Sequence, residues 1–336
     1  ASNYRFCTID PNVGLVDVPD PRLQKLTELV IPQRTVPTQI EIVDIAGLVR
    51  GASKGEGLGN KFLANIREVD AIIHVIRCFE DENILRDEGA INPVGDKEII
   101  DTELQLKDLE SVEKKAQRTE KLAKTDPKMK AELEVLKRCL AHLEQGKSIR
   151  SLEISKEERP AIADLFLLTE KPVLYVANVD EASMHTGNKY SDALAQMAHS
   201  EGAEIIIMNN NIEAQIAEME NPEDKQIFME EYKMTSPALN RLIHSAYRLL
   251  KLYTYFTAGV QEVRAWTIQQ GWKAPQAASV IHTDFEKGFI KAEVIGYDDF
   301  VHFGSEAACR EAGKLRIEGK EYIVKDGDVM HFRFNV

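Results

Sequence analysis

Ile40-Glu41-Ile42-Val43-Asp44-Ile45-Ala46-Gly47 is the stretch that decides how this chain is read. It alternates as a strand does, ends in Asp-x-x-Gly, and runs into a glycine-punctuated segment, Gly51-Ala52-Ser53-Lys54-Gly55-Glu56-Gly57-Leu58-Gly59. A strand that ends this way brings a carboxylate to Mg²⁺ and a bare backbone N–H to a terminal phosphate. Gly47 suits that second task because a Cβ would obstruct the close approach. The glycine run then gives the following segment two accessible states. Asp44 has a plainer reading as a turn aspartate after a strand. The glycine three residues on and a second motif at Asn178 favour the metal reading.

The phosphate cradle expected beside such a strand is missing: no G-x-x-x-x-G-K-[ST] occurs in the 336 residues. The chain begins with Ala1 rather than Met, and the expectation is that the native start, and the cradle with it, lie upstream. Composition is that of an ordinary globular protein, 43% hydrophobic and 29% charged. Its length gives a prior of two or three domains. No apolar run approaches the roughly 18 residues of a membrane span, so no membrane partner is expected. Cys7, Cys78, Cys139 and Cys309 are scattered without a C-x-x-C pair, which fits free thiols in a reducing cytosol and a cytoplasmic protein. A net charge of −13 argues against wholesale coating of nucleic acid, and no DNA partner is expected.

Short apolar runs recur at Val13–Val18, Thr38–Val43, Ala71–Ile76, Val173–Ala177 and Ile205–Met208, several of them the unbroken Val/Ile runs of parallel strands buried on both faces. Helical patterns, among them Asn60–Val69 and Ser191–Glu201, separate them. The fold class expected is therefore α/β, a doubly wound sheet. Asp96 to Leu143 has a different texture, rich in Glu, Lys and Leu and broken at Thr125-Asp126-Pro127, which predicts two long antiparallel helices inserted into the sheet domain. Between Lys114 and Arg138 nine Lys/Arg face four Asp/Glu. The excess reads either as a solvated helix face or as an RNA-binding tip formed by Lys114, Lys115, Arg118, Lys121, Lys124, Lys128 and Lys130. After the helical stretch Ser236–Leu250, residues from Tyr253 on predict a small α+β module with strands such as Glu321–Val324 and Val329–Phe334.

Further candidate site residues follow from position. Leu48 stands where many GTPases place a glutamine that orients the attacking water, and a leucine neither donates nor accepts a hydrogen bond. No catalytic residue is assigned, and hydrolysis is expected to be slow. Thr8, upstream of the first strand, is a candidate to send its hydroxyl to Mg²⁺. Asn178-Val179-Asp180-Glu181 closes a strand at the edge where α/β sheets bind ligands. GTPases use Asn-Lys-x-Asp there, the aspartate accepting two hydrogen bonds from guanine; here Glu181 holds that place. Asn209-Asn210-Asn211 follows the next strand and either offers amides to a base edge or forms an Asx-turn before a helix.

Taken together, Asn3–Ile9, Val43–Leu63, Asn65–Asp70 and Asn178–Glu181 resemble the Obg-like ATPases of the YchF subfamily within the P-loop GTPase class. Tyr255–Gly259, Ala274–Lys291 and Tyr322–Val329 look like that family's C-terminal TGS domain. The resemblance implies a P-loop nucleotidase sheet domain over residues 1–95 and 169–252 without its P-loop part, an inserted helical coiled-coil arm over 96–168, and a β-grasp TGS domain over 253–336. It implies ATP as substrate in preference to GTP, Mg²⁺ as cofactor, Thr8 and Asp44 on the metal, and Gly47, Asn178, Val179, Glu181, Asn209 and Asn210 on the nucleotide. It also implies a monomer that associates with ribosomes or ribosomal RNA. The asparagine triplet departs from the family's small-residue loop. Arg86 stands where the family often carries a histidine, so a histidine-assisted hydrolysis is not expected. The competing reading is a nucleotide-independent ribosome- or RNA-binding adaptor on a degenerate nucleotidase scaffold.

Overall fold

The computed structural model describes residues 12–45, 58–82 and 89–335. They form two compact units. One takes the described residues up to Gly14 and Val43–Leu242; the other takes Leu15–Ile42 and the described residues from Ile243 onward.

The chain opens with β1 (Asn12–Asp17), α1 (Pro21–Val30), β2 (Arg34–Val36) and β3 (Gln39–Asp44). β1 and β3 pair as a two-stranded sheet. Asp20 starts α1 by accepting the Arg22 N–H at 2.9 Å, with Pro21 in the first turn, where its missing N–H costs nothing.

In the first unit α2 (Leu58–Glu68), β4 (Ile72–Arg77), α3 (Pro93–Ala123), α4 (Pro127–Glu144), β5 (Val173–Asn178), α5 (Lys189–Ser200), β6 (Ile205–Met208), α6 (Asn210–Glu218) and α7 (Pro222–Glu231) follow in order. β4, β5 and β6 form a parallel sheet with β5 in the centre, in register from Ile72 opposite Val173 to Arg77 opposite Asn178. Val173–Ala177 is buried throughout, as the unbroken apolar run predicts, and Leu194 and Ala198 of α5 pack on it. α3 and α4 are the expected helical pair. Asp126 caps α4 through the Lys128 N–H at 2.8 Å, and Pro127 begins it. Their shared core is Val112, Ala116, Leu133, Leu136 and Cys139, closed by Ile149, Ile162 and Leu167.

α8 (Ala238–Leu249) leads into the second unit, which holds β7 (Leu252–Ala258), β8 (Glu262–Gln269), α9 (Ala274–Ser279), α10 (Thr283–Lys287), β9 (Phe289–Ile295), α11 (Tyr297–Phe303), α12 (Glu306–Glu311), β10 (Arg316–Glu318) and β11 (Val329–Phe334). Its six-stranded sheet has the order β10-β9-β11-β7-β8-β2. Both faces are apolar. Tyr255, Ile268, Met330 and Phe332 pack with α9, whereas Phe256, Val263, Ala265 and Val329 pack with Leu23 and Leu26 of α1, Phe300 of α11 and Cys309 of α12.

This corrects two sequence expectations. Residues 15–42 were expected in the nucleotide domain but belong to the C-terminal unit, because β2 extends its sheet beside β8 and α1 covers its second apolar face. Glu321–Val324 forms no strand: a single bridge joins Ile323 to Lys273. The segment is instead shaped as a turn by buried Asp328, whose carboxylate accepts the Lys325 N–H at 2.9 Å and the Tyr322 hydroxyl at 2.7 Å.

Candidate functional site

The sheet edge is built by three strand ends. β5 delivers Asn178, whose carbonyl accepts the Cys78 N–H at 2.8 Å just beyond β4. Val179 is buried and donates its N–H to the Met208 carbonyl of β6 at 3.0 Å. Asn209 then caps α6, accepting the Ile212 N–H at 2.9 Å, while its Nδ2 donates to the Val179 carbonyl at 2.8 Å. The Asn178 side chain accepts the Asn210 N–H at 3.1 Å through Oδ1. Asp180 accepts the Ser183 N–H at 2.9 Å and starts the short turn Glu181–Ser183, which leaves Glu181 exposed.

Asn178, Val179, Glu181, Asn209 and Asn210 are thus brought together at one end of the parallel sheet. Their chemistry is more restricted than the sequence suggests. Each end of the Asn209 amide makes one bond within the loop, leaving one Nδ2 proton and one Oδ1 lone pair, and the Val179 N–H is engaged by Met208. The Nδ2 of Asn178 carries no hydrogen bond among the described residues, and Glu181 follows three residues on, exposed. Asn188, which sequence reasoning missed, locks the edge from a third side. It caps α5 through the Tyr190 and Ser191 N–H groups, both at 3.0 Å, and its Nδ2 holds the Cys78 carbonyl at 2.8 Å. The available signal was an asparagine three residues before a serine at the start of a helical run.

Asp44 ends β3 with an exposed carboxylate that has no partner among the described residues. A hard, accessible oxygen of this kind suits Mg²⁺, which keeps several waters and takes one or two carboxylates beside phosphate oxygens. Thr8, Gly47, Leu48 and Arg86 lie outside the described residues.

Charge sorts the candidate interface residues. Lys114 pairs with Glu110, and Lys115 reaches Glu132 at 3.2 Å and Asp164 at 2.5 Å with its side chain only 17% exposed. Hydrogen bonds from Lys107 and Lys114 hold the Glu110 carboxyl down at about 2. Both lysines are thus paired with carboxylates of the arm, Lys114 at its surface and Lys115 half-buried. Arg118, Lys121, Lys124, Lys128 and Lys130 are exposed and meet no carboxylate among the described residues. They surround the turn between α3 and α4.

The root of the same hairpin carries charges the sequence gave no reason to single out. Lys97 of α3 is buried, bonded to Asp101 at 2.7 Å and to Glu201, which also accepts the Tyr175 hydroxyl at 2.9 Å. Burial pulls the Lys97 ammonium down, but the hydrogen bonds to Asp101 and Glu201 outweigh it and hold its pKa above the usual range. Deeper along α3, Asp108 accepts the Leu168 N–H at 2.8 Å, the Thr169 N–H at 2.7 Å and the Thr169 hydroxyl at 2.6 Å. Burial raises its pKa against these bonds. Burial also pushes the Cys78 thiol up to about 12 and that of Cys139 to about 11, which makes both inert.

Comparison with known proteins decides the family. Over its whole length the chain is 57% identical to the ribosome-binding ATPase YchF of Haemophilus ducreyi, and it covers 92% of that protein. The chain belongs to the YchF family. The Bacillus subtilis member is 54% identical over all of the chain and 92% of its own length. A family model described as a 50S ribosome-binding GTPase matches residues 1–129, and the YchF GTPase C-terminal model, described as a protein of unknown function, matches residues 252–335. The solved structure of the Schizosaccharomyces pombe YchF GTPase superposes with a TM-score of 0.87 at 39% identity, over 99% of this chain and 90% of that one. The second compact unit reaches beyond that C-terminal match, since it begins at Ile243 and includes Leu15–Ile42.

Proposed function

We propose that this protein is a slow, Mg²⁺-dependent ATPase switch that associates with ribosomes, working as a monomer in the cytoplasm. The observation that carries the nucleotide reading is the sheet edge at Asn178, whose Nδ2 has no partner among the described residues, with Glu181 three residues on in the place of a guanine-reading aspartate. An aspartate there accepts both the N1–H and the 2-amino group of guanine. Glu181 is one methylene longer and crowds that edge, whereas adenine asks for donors at its ring nitrogens and an acceptor for its 6-amino group. Asn178 supplies the donor through Nδ2, and Asn210 and Glu181 have acceptors to offer.

Metal and phosphate roles follow from the strand before Gly47. Asp44 and Thr8 would hold Mg²⁺, which when bound neutralises charge developing on the phosphate oxygens. A glycine at position 47 would let a backbone N–H meet the terminal phosphate, and a leucine at position 48 has no group to orient the attacking water, so turnover would be slow. In this reading the nucleotide domain takes residues 1–14, 43–95 and 169–242, the helical arm 96–168, and a TGS-like unit 243–336 together with 15–42.

The test is a titration of ATP and GTP on protein carrying a G-x-x-x-x-G-K-[ST] segment ahead of Ala1. ATP should bind at least about tenfold more tightly, since losing one charge-assisted hydrogen bond commonly costs roughly 1.5–3 kcal/mol. Equal affinities would overturn the reading of the edge. A second reading, a nucleotide-independent ribosome or RNA adaptor, is favoured by the five cations at the hairpin turn, whose side chains form no ion pair among the described residues and need no nucleotide to bind phosphate. Ribosome co-sedimentation that is the same with and without ATP would support it.

A further inference from the structure

Asn188 stands one residue before α5, and Asn, Asp, Ser or Thr would each cap a helix from that place. A cap needs only an acceptor. The Asn188 Oδ1 meets that need, taking the Tyr190 and Ser191 N–H groups, both at 3.0 Å. Its Nδ2 does something else: it donates to the Cys78 carbonyl at 2.8 Å and to the Ser183 Oγ at 3.2 Å. Of the four cap residues only asparagine offers two donors together with an acceptor. The helix start therefore does not account for the residue found there.

Both donor bonds end on segments that carry the base edge. Cys78, just beyond β4, gives its own N–H to the Asn178 carbonyl at 2.8 Å. Ser183 closes the turn Glu181–Ser183, and its N–H is held by the Asp180 carboxylate at 2.9 Å and the Asp180 carbonyl at 3.2 Å. A path of hydrogen bonds thus runs from Asn178 through Cys78, Asn188 and Ser183 to Asp180, and the chain itself completes the ring. Glu181 sits on that ring, between Asp180 and Ser183. The approach to Asn188 is close-fitting as well. Gly187 has a φ of +73°, and a Cβ on it would lie 2.6 Å from the hydroxyl of fully buried Ser191, which accepts the Asn188 N–H at 2.7 Å. The Gly187 N–H reaches the Ser183 carbonyl at 2.8 Å, and the Tyr190 hydroxyl bonds to Glu80, two residues past Cys78.

We propose that Asn188 is a positioning residue for base selection: its two amide donors hold the Glu181–Ser183 turn against the exit of β4 and so fix where Glu181 stands relative to Asn178. The selectivity rests on the nucleotide reading above; the hold on the turn does not. Glu181 crowds guanine only while its backbone is kept from retreating, because a side chain one methylene too long is accommodated by a shift of the turn that carries it. Specificity is a difference of two affinities, so a looser turn should lose discrimination before it loses ATP.

Two substitutions separate this role from capping. Asn188→Ser keeps a cap acceptor and gives up the amide donors, whereas Ser183→Ala leaves the cap intact and removes one tie. Amide hydrogen exchange is first followed without nucleotide in the form used for the titration. In Asn188→Ser it should be about tenfold faster at Cys78 and Ser183, as losing one such hydrogen bond implies, with Val173–Ala177 unchanged. Unaltered exchange at both amides, or faster exchange confined to Tyr190 and Ser191, would make Asn188 a cap alone and overturn the proposal. ATP and GTP are then titrated on the same proteins. The preference for ATP should narrow from at least about tenfold to about threefold in both variants. A preference as large as the parent's in either variant would overturn base selection through Asn188. Equal binding of the two nucleotides by the parent counts against the reading of the edge, and the exchange rates still decide whether Asn188 holds the turn.

Discussion

The two ends of the α3–α4 hairpin carry similar numbers of charged residues and use them in opposite ways. At the root, Lys97, Asp101 and Asp108 are buried and every one is bonded, to Glu201, to one another or to the backbone of Leu168 and Thr169. At the turn, Arg118, Lys121, Lys124, Lys128 and Lys130 stand in solvent, and their side chains form no ion pair among the described residues. The cost of desolvation explains the first pattern, because a buried charge survives only when it is paired or hydrogen-bonded. It does not require the second. An arm in need of solubility alone could alternate its charges, as Lys107, Glu110 and Lys114 do one helical turn apart. The difference separates charges that hold the arm in place from charges that the arm presents.

Reversing all five turn cations to glutamate should break that contrast most strongly. If each meets one phosphate, ribosome affinity should fall about a thousandfold and the log–log salt slope should shrink by roughly 4. The melting temperature should stay where it was. Co-sedimentation unchanged across a salt series would instead make the turn a plain solvated face. Lys115→Glu is the control: its partners Glu132 and Asp164 predict lost stability with the salt slope unaltered.

Next in size is Asp108→Ala at the root. It orphans two buried backbone N–H groups and the Thr169 hydroxyl, and the expected loss is about 3 kcal/mol. A denaturant midpoint shifted by less than a third of that would mean the root bonds are replaceable by water. Tyr175→Phe removes a single bond to Glu201 and should cost about 1.5 kcal/mol, a value within reach of thermal unfolding.

The last expected effect depends on pH and belongs to His74, in β4 beside the root. Burial, aided by the Lys97 and Arg150 charges and opposed by Asp101, lowers its pKa to about 4. The unfolded chain takes up this proton near the ordinary value of 6.5 and the folded chain only near 4, so the unfolded state binds more protons in between. Stability should therefore decline as pH falls from 6.5 towards 4. His74→Gln should flatten that part of the curve, and an unchanged slope would assign it to other groups.

Much of this could be read without coordinates, for reasons that particular residues make clear. The buried run Val173–Ala177, the break at Thr125-Asp126-Pro127 and the Asn178–Glu181 edge are local patterns, set by side-chain periodicity and by the chemistry of proline and aspartate caps. What escaped the reading was always a matter of distant partners. Nothing near Lys115 announces Asp164, and nothing near Asn209 announces the Val179 carbonyl, although the turn onto Ile212 is one of its two sequence readings. Arg34–Val36 is too short to declare itself a strand until it lies beside Glu262–Arg264, more than two hundred residues away.

By itself, then, the sequence determined the kinds of element, the strand that ends at Asp44, the sheet edge at Asn178 and the family. Each rests on the fixed periods of helix and strand or on residues that only one chemistry requires. The tertiary structure decided which of those residues remain free to act. It engaged Val179, Asn209 and Lys115 in the scaffold, left Asn178 Nδ2 and five cationic side chains without a partner among the described residues, and built residues 15–42 into the C-terminal unit. Hydrogen-bonding capacity is finite and apolar faces must be covered, and how both are shared out is settled only when distant parts of the chain meet.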